Sequence, residues 1–148
     1  MNIVIREAKL EDWEEVWWLL FKRGATDDQA LARERIMKIS SDPTHYLPIA
    51  LQNEKAIGYG WVQSYGPHLR SGQILHRFHD LYVLPEYRNN GIAQALFTSV
   101  KTWSEQNGAS WLQWNANPTS SSFYEKIGYQ PIPEEEEGYP FYEITFTS

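Results

Sequence analysis

The chain has 148 residues, with 13 Lys and Arg against 19 Asp and Glu, and this length predicts a single domain spanning residues 1–148. The formal net charge of −6 argues against a general nucleic-acid binder, because such proteins need a basic surface to neutralise phosphates. The absence of Cys excludes disulfides and thiolate nucleophiles, and no two of the four His stand at the H-x-x-x-H spacing of a helical metal site.

The first half of the chain reads as one strand, two helices and two further strands. Its first residues are charged and hold no signal-type apolar stretch, and no run approaches the ~18 apolar residues of a membrane span. We therefore expect a cytoplasmic protein without membrane contact. Gly24 is expected to end the first helix, and Asp27 or Asp28 to cap the second. Periodicity places the five elements at residues 2–7, 9–23, 27–40, 45–52 and 56–65.

The second half alternates strands with helices. Two of its strands, 73–84 and 109–115, flank one helix and are expected to be parallel, since a strand-helix-strand crossover places them so. The complete order, β-α-α-β-β-β-α-β-α-β-β, predicts a mixed α/β fold with a central mixed sheet of about seven strands and about four helices on its faces. The elements of this half are strand 73–84, helix 90–107, strand 109–115, helix 118–126, and strands 129–132 and 141–147.

A turn with the sequence RNNGIA, residues 88–93, joins strand 73–84 to the next helix. Helix starts leave N–H groups unpaired and carry partial positive charge, so they hold phosphate well. Gly91 lets the backbone approach a ligand, Ala93 adds little bulk, and Arg88 adds a positive charge at the rim. These features favour a pyrophosphate cradle. The alternative is an ordinary strand-turn-helix, and the segment fits neither a Walker loop nor a G-x-G-x-x-G motif.

Residues 79–93, HDLYVLPEYRNNGIA, resemble the acetyl-CoA signature L-x-V-x-P-x-x-R/Q-x-x-G-x-G/A of GNAT-type N-acetyltransferases. Downstream, Asn117 and the segment FYEKIGY at 123–129 resemble the family's N…(F/L)YEKxGF segment, with the same separation of seven residues between Asn117 and Tyr124. The chain departs from the pattern at Ala93, at Asn89-Asn90 and at Tyr129. No departure in the loop removes a main-chain donor, so pyrophosphate binding should survive.

The resemblance implies acetyl-CoA as co-substrate, no metal, and a sheet that splays beside strand residues 81–83. The main chain there would hold the pantetheine arm and polarise the thioester carbonyl. The turn at 88–93 would hold the pyrophosphate, and Asn117 would contact the cofactor or brace the splay. The implied cofactor-binding residues are Leu81, Tyr82, Val83, Arg88, Asn89, Asn90, Gly91, Ile92, Ala93, Asn117 and Tyr124.

Three side chains are candidates for catalysis. Tyr124 would protonate the departing thiolate, because a phenol stays protonated at neutral pH; the alternative is a tyrosine that only packs its helix on the sheet. The amine must lose a proton, and His79 or Asp80 could accept it. Neighbours in a regular strand face opposite sides, so the two should not point the same way. The alternative for His79 is a hydrogen-bonded core residue.

The predicted function is an acyltransferase that moves an acetyl group to a primary amine, with a small molecule as the expected acceptor, by direct attack in a ternary complex. Acidic residues at 27–28 and 134–137 could attract a small cationic amine, although four glutamates also suit a solvated loop. A protein or peptide acceptor, a non-catalytic acetyl-CoA sensor, and an interaction protein using exposed tryptophans stay open. A homodimer with an exchanged strand 141–147 is compatible with the family. The acceptor region that the family resemblance implies comprises Trp17, Trp18, residues 24–28, Tyr65, Phe78 and residues 133–140.

Overall fold

Ten helices and strands make up the regular structure of the computed structural model, which describes residues 2–116 and 120–130. Contacts divide the chain into two compact units, Met1–Asn115 and Ala116–Ser148; the first holds all the elements listed below except α4. In chain order they are β1 (Ile3–Glu7), α1 (Trp13–Arg23), α2 (Gln29–Ser41), β2 (His45–Tyr46), β3 (Pro48–Gln52), β4 (Lys55–Pro67), β5 (Ile74–Val83), α3 (Ile92–Gln106), β6 (Trp111–Gln113) and α4 (Ser121–Lys126).

The first unit is built on a mixed sheet whose strands lie in the order β1-β3-β4-β5-β6. The pairs from β1 to β5 are antiparallel, whereas β5 and β6 are parallel. This confirms the predicted mixed sheet and its parallel pair on either side of α3. The predicted strand 45–52 is interrupted at Leu47, and both of its parts, β2 and β3, pair with β4.

The two N-terminal helices begin later than predicted. Residues Leu10–Asp12 form a 3-10 turn, in which the Asp12 carboxylate accepts from the Lys9 amide at 2.7 Å and from the Arg6 guanidinium at 2.7 Å. The hydrogen bond from Arg6 lowers the pKa of Asp12 and ties the turn to β1. Gly24, with φ of 123°, ends α1 as expected, and Asp28 caps α2 by accepting from the Ala30 amide at 3.2 Å.

Boundaries in the second half differ from the predictions where the backbone leaves helical or extended geometry. Asn89 and Gly91 have positive φ angles of 64° and 79°, so α3 starts at Ile92 instead of at residue 90. Strand 109–115 shortens to β6. Tyr129 and Gln130 are not in a strand, while residues 117–119, 131–132 and the predicted strand 141–147 lie outside the described residues.

Both faces of the sheet are covered by helices. Two glycines of β4, Gly58 and Gly60, face α3, since a Cβ added to them would meet Leu96 at 3.3 Å and Val100 at 3.4 Å. Side chains alternate along a strand, so Tyr59 and Trp61 lie on the other face, where Val16 and Leu19 of α1 and Ala32 and Ile36 of α2 are buried. No helix in the described part of the chain is both long and apolar enough to span a bilayer.

Replacing Gly58 by Ala should destabilise the fold, because the added Cβ would lie 2.9 Å from the Tyr82 carbonyl oxygen. Backbone yields less readily than the end of a side chain. We expect a loss of about 1–3 kcal/mol in the free energy of unfolding, measured by urea denaturation. Gly60→Ala is the matched control, since its Cβ would meet only side-chain atoms, at 3.4 Å or more. Equal losses in the two variants would contradict this account of how β4, β5 and α3 pack.

Candidate active site

One extra residue in β5 sets the direction of the side chains at the site. Trp61 of β4 pairs with Asp80, and the next β4 residue, Val62, pairs with Phe78, so His79 has no partner of its own in β4. Such a β-bulge inserts one residue, bends the strand and re-aims the side chains around it.

The bulge puts His79 and Asp80 on the same face of the sheet. The His79 ring lies 4.3 Å from the Trp61 ring, and Asp80 accepts a hydrogen bond from the Tyr59 hydroxyl. Tyr59 and Trp61 are two residues apart on β4 and therefore share a face. The expectation that His79 and Asp80 point opposite ways is wrong, because it assumed a regular strand. Phe78, before the bulge, packs on Phe97 of α3 and is buried, so it is not available to an acceptor.

Asp80 accepts hydrogen bonds from three donors. These are the Tyr59 hydroxyl, the Arg23 guanidinium at 3.3 Å and the Leu81 amide at 3.0 Å. Tyr59 is almost fully buried, and this burial, together with the neighbouring carboxylate charge, raises the pKa of its phenol well above the ordinary value. The carboxylate thus joins β4, β5 and the end of α1. Its lone pairs are largely occupied, which leaves it less suited than His79 to accept a proton.

His79 has a different environment from its neighbour. Its Nε2 atom lies 3.1 Å from the Gln63 side-chain oxygen and 3.2 Å from the Tyr65 hydroxyl. The residue is exposed, yet its ring packs on Trp61. Partial burial lowers the pKa of the imidazole; Arg77 and His45 reinforce this effect, and the negative charge of Asp80 opposes it. A lowered pKa keeps the ring neutral, and so able to accept a proton, at neutral pH.

The end of β5 offers free backbone on the side away from β4. Among the described strands, β6 pairs with β5 only at Leu75, His76 and Arg77, so the sheet opens beyond that point. The Leu84 amide donates to the Ile57 carbonyl at 2.9 Å and therefore faces β4. By alternation the Val83 peptide faces the open side, where its carbonyl accepts from Arg88 Nε at 2.9 Å. Within residues 2–116 and 120–130 no strand pairs with the Val83 N–H on that side, so it can donate to a ligand.

The turn after β5 and the start of α3 fit an anionic group. The Asn90 side chain donates to the Tyr87 and Arg88 carbonyls at 3.2 and 3.1 Å, which folds the turn back on itself. Gly91 is the N-cap of α3 and has no side chain that could accept from the first turn. The N–H groups of that turn therefore remain able to donate to a ligand. A Cβ at Gly91 would meet nothing within 4 Å, so the space before these donors is open.

Tyr124 belongs to the second unit and lies in the short helix α4. Tyr124 is 9% exposed, and its ring makes an edge contact with the Phe123 ring, with the two centroids 5.1 Å apart. The Tyr124 carbonyl accepts from the Tyr129 amide at 3.0 Å, which closes the helix end. Asn117 lies outside the described residues.

Within the first unit, most of the predicted site residues form one continuous strand-turn-helix segment. His79, Asp80, Leu81, Tyr82 and Val83 end β5, Arg88, Asn89 and Asn90 form the turn, Gly91 caps α3, and Ile92 and Ala93 begin it. The residues that sequence reasoning missed at this site are Tyr59, Gln63 and Arg23. The first two belong to the alternation of β4 beside Trp61, a signal present in the sequence, whereas Arg23 was interpreted only as part of a helix end.

The acidic residues proposed to attract a cationic amine already have other partners where the structure describes them. Asp27 accepts from Arg35 at 2.7 Å, and Asp28 caps α2. Residues 134–137 lie outside the described residues. Across residues 2–116 and 120–130, no three His, Asp or Glu side chains come together as a metal site requires.

The family model described as an acetyltransferase (GNAT) domain matches residues 21–144, which is most of the chain. No curated protein sequence matches. Solved structures with this fold include a glucosamine-6-phosphate N-acetyltransferase from Arabidopsis thaliana, with a TM-score of 0.79, 17% identity, and coverage of 94% of this chain and 99% of that one. An aminoglycoside N-acetyltransferase solved in complex with CoA has a TM-score of 0.78, 18% identity, and coverage of 97% and 95%. A ribosomal-protein-alanine N-acetyltransferase from Brucella melitensis biovar Abortus 2308 has a TM-score of 0.74, 22% identity, and coverage of 98% and 100%.

The His79 imidazole should titrate below the ordinary histidine value of 6.5, because partial burial disfavours its charged form. An NMR titration of the assigned ring protons measures this midpoint. Trp61→Ala should move the midpoint upward, since it removes the ring that packs on the imidazole. A midpoint above 6.5 in the unmodified protein would show that the Asp80 charge dominates instead.

Proposed function

This chain belongs to the GNAT family of N-acetyltransferases, and we propose that it transfers an acetyl group from acetyl-CoA to a primary amine of a small molecule. The observation that carries the proposal is the continuous segment from His79 to Ala93. Over fifteen residues it presents a neutral histidine, a free N–H at Val83 and an uncapped helix start at Gly91. We also propose that residues 1–148 form one acetyltransferase domain, since the family match spans residues of both compact units.

The segment suits the two polar parts of coenzyme A. The first-turn N–H groups of α3, with Arg88 at the rim, would hold the pyrophosphate, because backbone donors and the helix dipole favour anions. The open edge at residues 81–83 would pair with the amides of the pantetheine arm, as an added strand pairs with a sheet edge. Asn117 and Tyr124 would contact the cofactor, as the family resemblance implies. One of the structures with the same fold was solved with CoA bound.

Each step of the transfer has a candidate group in this chain. His79 takes a proton from the acceptor ammonium, which frees the amine lone pair to attack the thioester carbonyl carbon. The Val83 N–H donates to the carbonyl oxygen as negative charge builds there, a contribution of about 3–4 kcal/mol for one donor. Tyr124 gives its hydroxyl proton to the sulfur as the carbon–sulfur bond breaks, and the second proton lost by the attacking nitrogen, as it becomes the amide, restores the phenol. Asp80 is the weaker base candidate, because three donors already occupy its carboxylate.

A small amine is the preferred acceptor class. Two of the structures with this fold are named for amino sugars, a glucosamine phosphate and an aminoglycoside, and a third is named for a ribosomal-protein alanine. A peptide acceptor is thus the alternative outcome of the experiment below. The cytoplasmic location and a homodimer through residues 141–147 stay predictions.

Gly91→Ala should weaken the binding of coenzyme A by about tenfold, because a Cβ strains the positive φ of 79° and displaces the donors of the cradle. Gly72→Ala is the matched control. Gly72 has a φ of 71° and, like Gly91, open space where its Cβ would go, so the backbone penalty is similar. Isothermal titration with coenzyme A measures both affinities. Equal affinity of the two variants for coenzyme A would show that the turn at 88–93 is not part of the binding site.

Tyr124→Phe should lower amine-dependent release of free thiol from acetyl-CoA by roughly 10²-fold, because the departing sulfur loses its proton donor. The amines to test are spermidine, aminoglycosides, amino acids and short peptides, and the one that stimulates release identifies the acceptor class. Tyr129→Phe is the control, since the family resemblance places Phe at that position. Full activity in Tyr124→Phe would eliminate the acid role. Binding of coenzyme A without release by any amine would contradict the proposed transfer.

A further inference from the structure

The imidazole of His79 is contacted at only one of its two nitrogens by the described residues. Nε2 lies 3.1 Å from the Gln63 side-chain oxygen and 3.2 Å from the Tyr65 hydroxyl. Nδ1 has no hydrogen-bond partner within residues 2–116 and 120–130. The two nitrogens of a neutral imidazole differ, because one carries the proton and the other a basic lone pair.

The Gln63 contact decides which nitrogen is basic. A carboxamide oxygen can only accept a hydrogen bond, so Nε2 must carry the proton that it donates to Gln63. A hydroxyl can also accept, so Tyr65 is compatible with the same assignment. Nδ1 then holds the lone pair. The opposite tautomer would set the Nε2 lone pair against the carboxamide oxygen, which is unfavourable.

We propose that Gln63 is a positioning residue that holds His79 in the Nε2–H tautomer, so that Nδ1 is the atom that takes the proton from the acceptor amine. This inference rests on the proposed function, because it names the reactive atom of that site and the residue that selects it. Tyr65 shares the Nε2 contact in the secondary role of a second acceptor.

Gln63 is well placed to act through another residue. It lies in the middle of β4, where its neighbours across the sheet are His45 of β2 and Arg77 of β5. Its backbone is therefore paired on both sides. His79 is the unpaired residue of the bulge and leans toward β4. The half-buried side chain of Gln63, on the regularly paired strand β4, thus holds the ring of His79 at the bulge of β5.

The plane of the His79 ring and its tautomer are set by different residues. Trp61 packs on His79, and the Trp61 indole N–H donates to His45 Nδ1 at 3.0 Å. His45 Nε2 in turn lies 3.8 Å from an Asp42 carboxylate oxygen. This tilted ring contact constrains the plane of the His79 ring, but it does not distinguish Nδ1 from Nε2. Only a polar contact such as that from Gln63 does so.

Proton transfer at Nδ1 leaves the Gln63 contact intact. When Nδ1 accepts the proton of the acceptor ammonium, the ring becomes an imidazolium, and Nε2–H still donates to the carboxamide oxygen. The titratable and charged groups that face the ring are Arg77 and His45, which oppose a positive charge on it, Asp80, which favours that charge, and the Tyr65 hydroxyl. The proton then leaves Nδ1 to water, and the neutral base is restored in the same tautomer.

The tautomer can be measured without turnover, from the ¹⁵N shifts of the His79 ring at a pH above its titration midpoint. The unmodified protein should give a protonated Nε2 and an unprotonated Nδ1. Gln63→Leu should give a mixture of tautomers, because the acceptor is lost, whereas Gln63→Glu should keep the Nε2–H form. Gln106→Leu, at the exposed end of α3, is the matched control and should change neither nitrogen. A protonated Nδ1 in the unmodified protein, or no change in Gln63→Leu, would overturn the proposal.

Kinetics then tests the consequence for the reaction. Gln63→Leu should lower kcat/KM for the amine by about tenfold with the KM for acetyl-CoA unchanged, since only the base is affected. Gln63→Glu should move the acid limb of the pH profile upward by about one unit or more, because a carboxylate next to the ring favours its charged form. If no amine supports thiol release, the proposed function fails, and the ¹⁵N shifts still decide the role of Gln63. If release is normal and both variants match the Gln106→Leu control, the proposed function stands and this inference falls.

Discussion

β5 has one more residue than β4 can pair with, and the positions of the side chains and peptide groups that follow depend on where this excess lies. Before the bulge at His79, Phe78 packs against α3. After it, Asp80 and Tyr82 face the opposite side, toward Arg23 of α1. Without the extra residue, Asp80 would point at the apolar α3 face, where a carboxylate has no partner. The bulge therefore lets one strand serve an apolar core and a polar site in succession.

The same shift determines which backbone groups are free. Because Leu84 donates back to β4, the Val83 N–H is left on the side where β6 has already diverged. Arg88 occupies the Val83 carbonyl, and its guanidinium lies 5.6 Å from the centre of the Tyr82 ring. The Arg88 guanidinium is thus held in place by the strand end itself. Strand, turn and helix start are fixed relative to each other before any ligand arrives, which lowers the entropy cost of binding.

The sequence predicted the order of the described elements, the mixed sheet and the turn that opens α3 at Gly91, because periodicity, glycine and helix-start chemistry are local signals. It failed at His79 and Asp80, since alternation along a strand assumes a regular partner and the bulge depends on the register with β4. It also missed Arg23, which ends α1 by local rules but reaches Asp80, 57 positions away. The break between β2 and β3 at Leu47 has the same origin, because only pairing with β4 reveals it.

The neighbours His79 and Asp80 have opposite electrostatic surroundings on one face of the sheet. Asp80 accepts from a guanidinium, a phenol and an amide, so its charge is compensated and its lone pairs are used in holding α1, β4 and β5 together. His79 packs on Trp61, and its partial burial together with Arg77 and His45 disfavours its cation more than the charge of Asp80 favours it. Neighbouring groups in such different surroundings suit different roles, structural for Asp80 and proton-accepting for His79 as proposed above. In this chain the two environments differ because the bulge turns both residues to the same face and β4 supplies each with different partners.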